Sequence, residues 1–269
     1  MALITKITTQ QKNQDRFNIF MDYGKGEEFA FSVDSDVLIK FQLKKGMELD
    51  EFSLMEVHYH DDIRKAYNLA INYLAKRMRA KKEIIDYLHQ KETEEPVINE
   101  VIHKLIAQKY INDTEYALAY VRTQMNTTDK GPDLIRTELK EKGITEEILI
   151  HSLDQFSFED QVNKGTILAG KFLKKNSRDS KRVLKQKLES LLLRKGYSYE
   201  VINIAANEPE ISKDVDNEMD AIRYQGEKVR RKYSKFEGFE YEQKIKQALF
   251  QKGFSFDLIE KYLADEEKR

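Results

Sequence analysis

Lysine and arginine recur in this 269-residue chain where one amphipathic segment ends and the next begins. The first such corner holds Lys76, Arg77, Arg79, Lys81 and Lys82, and a sparser second holds Arg122, Lys130 and Arg136. The third carries Lys171, Lys174, Lys175, Arg178, Lys181, Arg182, Lys185 and Lys187, and the fourth Lys228, Arg230, Arg231, Lys232 and Lys235. Clustered cations attract polyanions but break no bonds by themselves. Lysines near helix C-termini also complement the backbone dipole, which accounts for single charges. It does not account for an excess that returns at the same corner of successive segments, so these residues are the candidate binding surface, expected to line up as a basic stripe.

Other chemistry finds less support. Gly24-Lys25-Gly26 lacks the longer glycine pattern and the Lys-Ser/Thr ending of a phosphate loop, and reads as a hairpin turn. His58-Tyr59-His60-Asp61-Asp62 has metal-ligand types, but His89, His103 and His151 are scattered, so no metal is expected and Asp61 and Asp62 read as the cap of a long helix. Acidic pairs such as Glu94-Glu95 and Glu146-Glu147 fall in first turns of helices, where the dipole accounts for them, and no nucleophile sits beside a base. Tyr67, Tyr73, Tyr87, Tyr116, Tyr120, Tyr197, Phe250 and Phe254 lie at helical core spacing. Tyr233 and Phe236, embedded in a basic run, are the candidates for base stacking. With no cysteine, thiolate chemistry and disulfides are excluded.

The elements that must position these corners are clearest in residues 111–153. This stretch parses into three short helices, Asp113–Gln124, Asp133–Lys142 and Glu146–Leu153. Gly143 closes the second in a left-handed conformation, Thr145 caps the third, and Pro132 opens the second. Around Gly143 the apolar set is Ile135, Leu139, Ile144, Ile148 and Leu149. The same offsets give Leu188, Leu192, Tyr197, Val201 and Ile202 around Gly196, and Ile245, Leu249, Phe254, Leu258 and Ile259 around Gly253. An earlier copy, Ile84, Leu88, Thr93, Val97 and Ile98, has Glu92 at the glycine position and reads as the same unit with a different turn. First helices are expected at Ile63–Lys76, Asp113–Gln124, Phe158–Lys174 and Val215–Arg231. Units recurring about every fifty residues cannot bury both faces alone and should stack end to end.

The first sixty residues differ. Leu3–Thr8, Arg16–Met21 and Glu28–Val33 alternate like strands, and Asp34–Leu43 reads as a short helix. The fold class is therefore mainly α: an elongated tandem array of three-helix repeats with a small β-rich N-terminal region. The expected division is 1–61 for the β-rich cap and 62–111, 112–156, 157–209 and 210–269 for four repeats. A charged fraction of 35% and few prolines and glycines suit thin helical packing. The net charge of −1 hides local segregation, with acidic residues gathered elsewhere, notably in Glu208–Asp220. No apolar run reaches membrane-spanning length and no signal-peptide core opens the chain, so a soluble cytoplasmic protein, monomeric and without cofactor, is expected.

Leu105-Ile106-Ala107-Gln108-Lys109-Tyr110-Ile111-Asn112-Asp113-Thr114-Glu115-Tyr116-Ala117, followed by Lys130-Gly131 and by Ile135, Glu138, Leu139, Lys142, Gly143 and Ile144, resembles the core signature of the RecX family of regulatory proteins. Leu74 and Arg77 with Lys82-Glu83-Ile84 resemble its upstream motif. Ala80 stands where a small hydroxyl residue is common, and the length resembles the longer Gram-positive type. The resemblance implies a cytoplasmic, non-enzymatic modulator of the RecA recombinase. Such a protein binds along the groove of the RecA filament on DNA and inhibits its ATPase, strand exchange and co-protease activities. Its partners would be the RecA filament, the DNA within it and free DNA. The residues alone leave two alternatives open, a direct DNA-binding helical-repeat protein and a helical protein-interaction scaffold.

Overall fold

The computed structural model describes residues 2–207 and 218–267. The expected helix start at Val215 and most of the acidic run Glu208–Asp220 lie outside the described residues. Two compact units divide the chain, Met1–Tyr116 with Lys142–Ile144, and Ala117–Glu141 with Thr145–Arg269.

The N-terminal region is an antiparallel sheet of β1 (Ala2–Thr9), β2 (Arg16–Asp22), β3 (Glu27–Asp34) and the short β4 (Glu48–Leu49), in the order β3-β2-β1-β4. Sequence alternation shows the three long strands, while β4 is too short to signal itself. Gly24-Lys25-Gly26 is the β2–β3 hairpin turn, as expected. Asp22 Oδ1 accepts the Gly24 and Gly26 N–H groups at 2.7 and 2.9 Å, and both glycines have positive φ. The inner face, with Ile4, Ile19, Met21, Phe31 and Val33, packs on Val37 of α1 (Ser35–Lys40) and Val57 of α2 (Glu51–Leu74).

Helix α2 starts twelve residues earlier than its expected start at Ile63, capped by Asp50, whose side chain accepts from Ser53 N–H at 2.8 Å. The reading of Asp61 and Asp62 as the cap is therefore corrected. Asp61 is in mid-helix, 1% exposed, and holds the sheet to the helix. It takes a bidentate pair from Arg16 at 2.9 and 3.3 Å, the Asp34 N–H at 2.8 Å and Lys65 at 3.0 Å. The helix also separates His58 from His60, which turn to Phe31 and to Lys40. No group of three metal-ligand residues forms among the described residues.

Among the described residues, four three-helix repeats follow. The first comprises α2, α3 (Lys81–Gln90) and α4 (Glu95–Ala107), and the second α5 (Asp113–Thr127), α6 (Pro132–Glu141) and α7 (Glu146–Leu153). The third comprises α8 (Phe158–Lys175), α9 (Lys181–Arg194) and α10 (Tyr199–Asn207), and the fourth α11 (Glu218–Tyr233), α12 (Gly238–Gln251) and α13 (Phe256–Glu267). The recurring apolar offsets are core positions: Ile84, Ile135, Leu188 and Ile245 are at most 2% exposed. Thr145 begins α7 but makes no side-chain cap bond, whereas Ser198 and Ser255 cap through their hydroxyls. Phe250 departs from the core pattern, being exposed and stacked on Phe256.

The turn after the second helix carries the repeat. Gly143, Gly196 and Gly253 have φ of +79, +85 and +87°, and Glu92 takes the same conformation at +58°. The first repeat thus has the same turn as the others, a correction to the expected difference. Each glycine turn docks on the N-terminus of the preceding repeat's second helix. Gly131 N–H donates to Lys195 O at 2.7 Å and Asp133 N–H to Gly196 O at 3.1 Å; Ser180 Oγ donates to Lys252 O at 2.6 Å; and Gly143 lies on Lys82. A Cβ would fall 2.4 Å from Leu134 N at Gly196 and 2.5 Å from Gly196 O at Gly131. The cap residue beneath the turn is correspondingly small and buried: Ala80, Gly131 or Ser180. An acid from the next repeat's first helix completes two of these contacts, Asp113 accepting from Lys81 N–H at 2.8 Å and Glu218 from Lys181 N–H at 3.0 Å. At the third, Pro132 has no N–H to satisfy.

Replacing Gly196 by Ala should lower unfolding free energy by roughly 2–4 kcal/mol, from the left-handed backbone and the Cβ clash together. Gly170, inside α8 with open space around it, should gain up to about 1 kcal/mol as Ala. Urea unfolding of both variants checks the contrast. Burial pushes the Asp61 carboxyl up, but the Arg16 and Lys65 donors and the Asp34 N–H outweigh it and hold the pKa below the usual value. The stabilisation is therefore complete above the unfolded carboxylate range and lost as pH falls through the lower folded value. Asp61→Asn should lose about 2–4 kcal/mol at neutral pH and progressively less in acid, as denaturation at several pH values would show.

Candidate polyanion interface

The basic corners are not equivalent, because neighbouring acids neutralise some of them. In the first repeat Glu83 is a hub, 2.7 Å from Arg77, 3.7 Å from Arg79 and 3.9 Å from Lys142, and it accepts from the Ala80 N–H at 3.1 Å. Burial raises the Glu83 pKa, and Arg77 with these other donors brings it below the usual value. Burial and then the Glu83 charge push the neighbouring Tyr116 up to about 12. The Arg79 guanidinium lies 3.9 Å from the Tyr73 centroid, and Tyr73 stacks on Tyr87 at 4.1 Å with rings 7° apart. Both faces of Tyr73 are therefore covered. Lys81 and Lys82 remain exposed in the first turn of α3.

The second corner is also paired. Lys130 meets Glu138 at 2.5 Å, Arg136 meets Glu146 at 2.8 Å, and Arg122 donates to Gln155 at 3.2 Å. In the fourth repeat Arg230 pairs with Glu266 and donates to the Tyr241 hydroxyl, while Arg231 lies 3.8 Å from Glu227. Lys232 stands over Tyr233, and Lys235 is exposed. Tyr233 and Phe236, the expected stacking pair, tilt against each other and are half-buried, with Lys244 over Phe236.

The third repeat differs. Lys171, Lys174, Lys175, Lys181, Arg182 and Lys185 are exposed and make no ion pair with a described residue. Lys174 and Lys175 end α8, where the dipole favours them. Lys181 and Arg182 start α9, whose first turn holds no acid, and there the dipole opposes them by roughly 0.3–1 kcal/mol each. A bound polyanion would relieve that opposition. Arg178 lies in the connection between the two helices, donating to the Tyr224 hydroxyl at 3.1 Å with its guanidinium 4.4 Å from that ring. Lys228 is 4.2 Å from the same ring. Hydrogen bonds from Lys228 and Arg178 lower the Tyr224 hydroxyl pKa. Tyr224 gave no signal in sequence, because its partner is 46 residues away.

The structure therefore brings the third-repeat cations together on adjacent ends of α8 and α9 and adds Tyr224 and Lys228 from α11. It ties Arg77, Arg79, Lys130, Arg136, Arg230 and Arg231 to acids within their own repeats or the adjoining turn.

Known proteins match along the whole chain. The family model for the regulatory protein RecX N-terminal domain matches residues 2–50, the first RecX three-helix domain 66–105, the second 112–149, and the third 159–205 and again 216–263. The regulatory protein RecX of Bacillus subtilis (strain 168) is 48% identical over 267 residues, covering 99% of this chain and 100% of that protein. Its counterpart in Bacillus velezensis is 46% identical over 267 residues, again 99% and 100% of the two chains. A crystal structure of regulatory protein RecX superposes with a TM-score of 0.68 at 36% identity, over 77% of this chain and 100% of that one. RecX from Lactobacillus salivarius gives 0.52 at 42% identity, over 58% and 98%. With its sheet, its four helical repeats and these matches from one end to the other, the chain belongs to the RecX family of regulatory proteins.

Proposed function

We propose that this protein regulates homologous recombination and DNA repair in the cytoplasm by binding the RecA–DNA filament and inhibiting its ATPase, strand exchange and co-protease activities. It acts by binding alone: a ligand that prefers one filament state shifts the filament's equilibrium by its difference in affinity, and no bond need be broken. The observation that carries the reading is the cation cluster of the third repeat, Lys171, Lys174, Lys175, Lys181, Arg182 and Lys185, six exposed charges near adjacent helix ends that make no ion pair with a described residue. RecX family membership supports the choice of partner. The four blocks 62–111, 112–156, 157–209 and 210–269 act as modules of one binding array, with the third supplying most of the attraction for DNA phosphates and the paired corners of the others contributing shape. The expected basic stripe is thereby narrowed to one dominant corner.

Titrating RecA ATPase on single-stranded DNA with the purified protein tests the reading, and progressive inhibition is expected. Lys174→Glu, Lys175→Glu, Arg178→Glu and Arg182→Glu combined should raise the inhibitory midpoint by about tenfold or more at unchanged helicity. If free DNA is also bound, the slope of log affinity against log salt should become shallower by about three, as fewer counterions are released. Retention of full inhibition by that variant would remove the cluster from the mechanism. Glu146→Gln, which frees Arg136 and Lys140 from their shared partner, should tighten DNA binding severalfold while changing stability by less than about 1 kcal/mol.

A further inference from the structure

Two side chains flank the left-handed turn of each repeat, three residues before it and three after it. In the first repeat these are His89 and Glu95, 3.2 Å apart, and in the second Lys140 and Glu146, 2.8 Å apart, so that a polar pair braces the second helix to the third. The same two positions hold Leu193 and Tyr199 in the third repeat and Phe250 and Phe256 in the fourth. The two phenylalanine rings stack, with centroids 4.4 Å apart and planes at 23°, while Phe250 stays 43% exposed and Phe256 55%. Bracing the turn does not call for exposed rings, because polar pairs do it in the first two repeats. Nor does the core, which beneath this turn is filled by the buried Leu249 and Phe254.

Position decides what the exposed rings adjoin. The Gly253 turn rests on the start of α9: Ser180 Oγ donates to Lys252 O at 2.6 Å, and a Cβ on Gly253 would lie 3.4 Å from the Arg182 Cβ. Lys181 and Arg182 are in that first helical turn and Lys185 is one turn on; all three are exposed, and none makes an ion pair with a described residue. The turn that bears Leu193 and Tyr199 rests instead on Gly131 and Leu134, at the corner where Lys130 and Arg136 are tied to Glu138 and Glu146. Among the described residues, Phe250 and Phe256 are therefore the flanking apolar pair that adjoins free cations. A ligand that uses both features must offer phosphates and flat apolar faces side by side. Single-stranded nucleic acid does, since each nucleotide carries one of each and its bases are free to leave their own stack. A duplex keeps its base faces inside its stack and would use the cations alone. An acidic protein surface supplies charge without the recurring planar face.

We propose that Phe250 and Phe256 form a stacking platform for an unpaired base of a single-stranded nucleic acid whose phosphates lie on Lys181, Arg182 and Lys185. This rests on the polyanion reading of the third repeat and adds to it the strandedness of the ligand and a contact from the fourth repeat. Binding of the full chain to single-stranded oligothymidylate and to a duplex of equal length, each over a range of salt, tests it. Phe250→Leu with Phe256→Leu keeps an apolar contact and the charge, and Phe250→Lys with Phe256→Glu rebuilds the brace of the second repeat. Both variants should keep native helicity by circular dichroism, bind the single strand about tenfold or more weakly and bind the duplex as the parent does. In the leucine variant the slope of log affinity against log salt should equal the parent's, because no phosphate contact is lost, whereas the fourfold glutamate variant of the cation cluster changes that slope. Failure of the platform is thus distinct from failure of the cluster. Parental single-strand binding by both folded variants would overturn the proposal, as would an equal loss on the duplex or a parent that does not bind single strands. A leucine variant that binds DNA like the parent but inhibits RecA ATPase less would set the rings against protein and overturn it too.

Discussion

The chain depends on a contact between helix ends. The last carbonyls of one second helix and its left-handed turn sit on the first amide groups of the preceding repeat's second helix, as Lys195 O and Gly196 O do on Gly131 N–H and Asp133 N–H. Each helix end has backbone groups that its own hydrogen bonds cannot satisfy, donors at one end and acceptors at the other. Joining them satisfies both sets at once and aligns the partial charges of the two dipoles favourably. The cost is steric: at Gly196 the backbones approach so closely that a Cβ would meet Leu134 N at 2.4 Å, and the cap residue beneath each turn is Ala, Gly or Ser.

That constraint explains several local choices. Lys81 and Lys181 each place a backbone N–H that the turn does not reach, and Asp113 and Glu218 from the next repeat accept it. Pro132 solves the same problem by having no N–H. Long second helices in the third and fourth repeats and shorter ones before them use the same end geometry, so the spacing between repeats can vary while the contact does not. In the N-terminal region a different device takes over. The buried Asp61, held by Arg16, Lys65 and the Asp34 N–H, ties the sheet to a helix that also supplies Ile63, Ala66 and Ala70 to the first repeat's core.

The same geometry decides which cations can meet a partner. A connection between first and second helices that carries basic residues appears in every repeat, but Glu83, Glu138, Glu146 and Glu266 lie within reach of three of them. Ion pairs at such exposed sites add little stability, yet they lower the positive field that a polyanion would sense. In the third repeat Asp179 pairs with Lys187 at 2.6 Å, but Lys171, Lys174, Lys175, Lys181, Arg182 and Lys185 make no ion pair with a described residue, and α9 starts with two cations against the dipole.

The sequence by itself determined the repeat and its core. Apolar offsets around Gly143, Gly196 and Gly253 are set by helical periodicity, and glycine at a helix end reports a left-handed turn directly, so both could be read from spacing alone. The strands were legible from alternation, and the hairpin from Gly24-Lys25-Gly26. The start of α2 was not, because Asp61-Asp62 has the composition of a cap while Asp50 performs the capping. A glutamate carries no signal of a left-handed turn in sequence, which hid the likeness of Glu92 to Gly143. Tertiary structure alone decided which charges are free, since Glu83 reaches Lys142 and Arg178 reaches Tyr224 across separations along which local patterns carry no information. Periodicity governs what each helix buries, and only the folding of distant segments onto one another governs what its charged ends can touch.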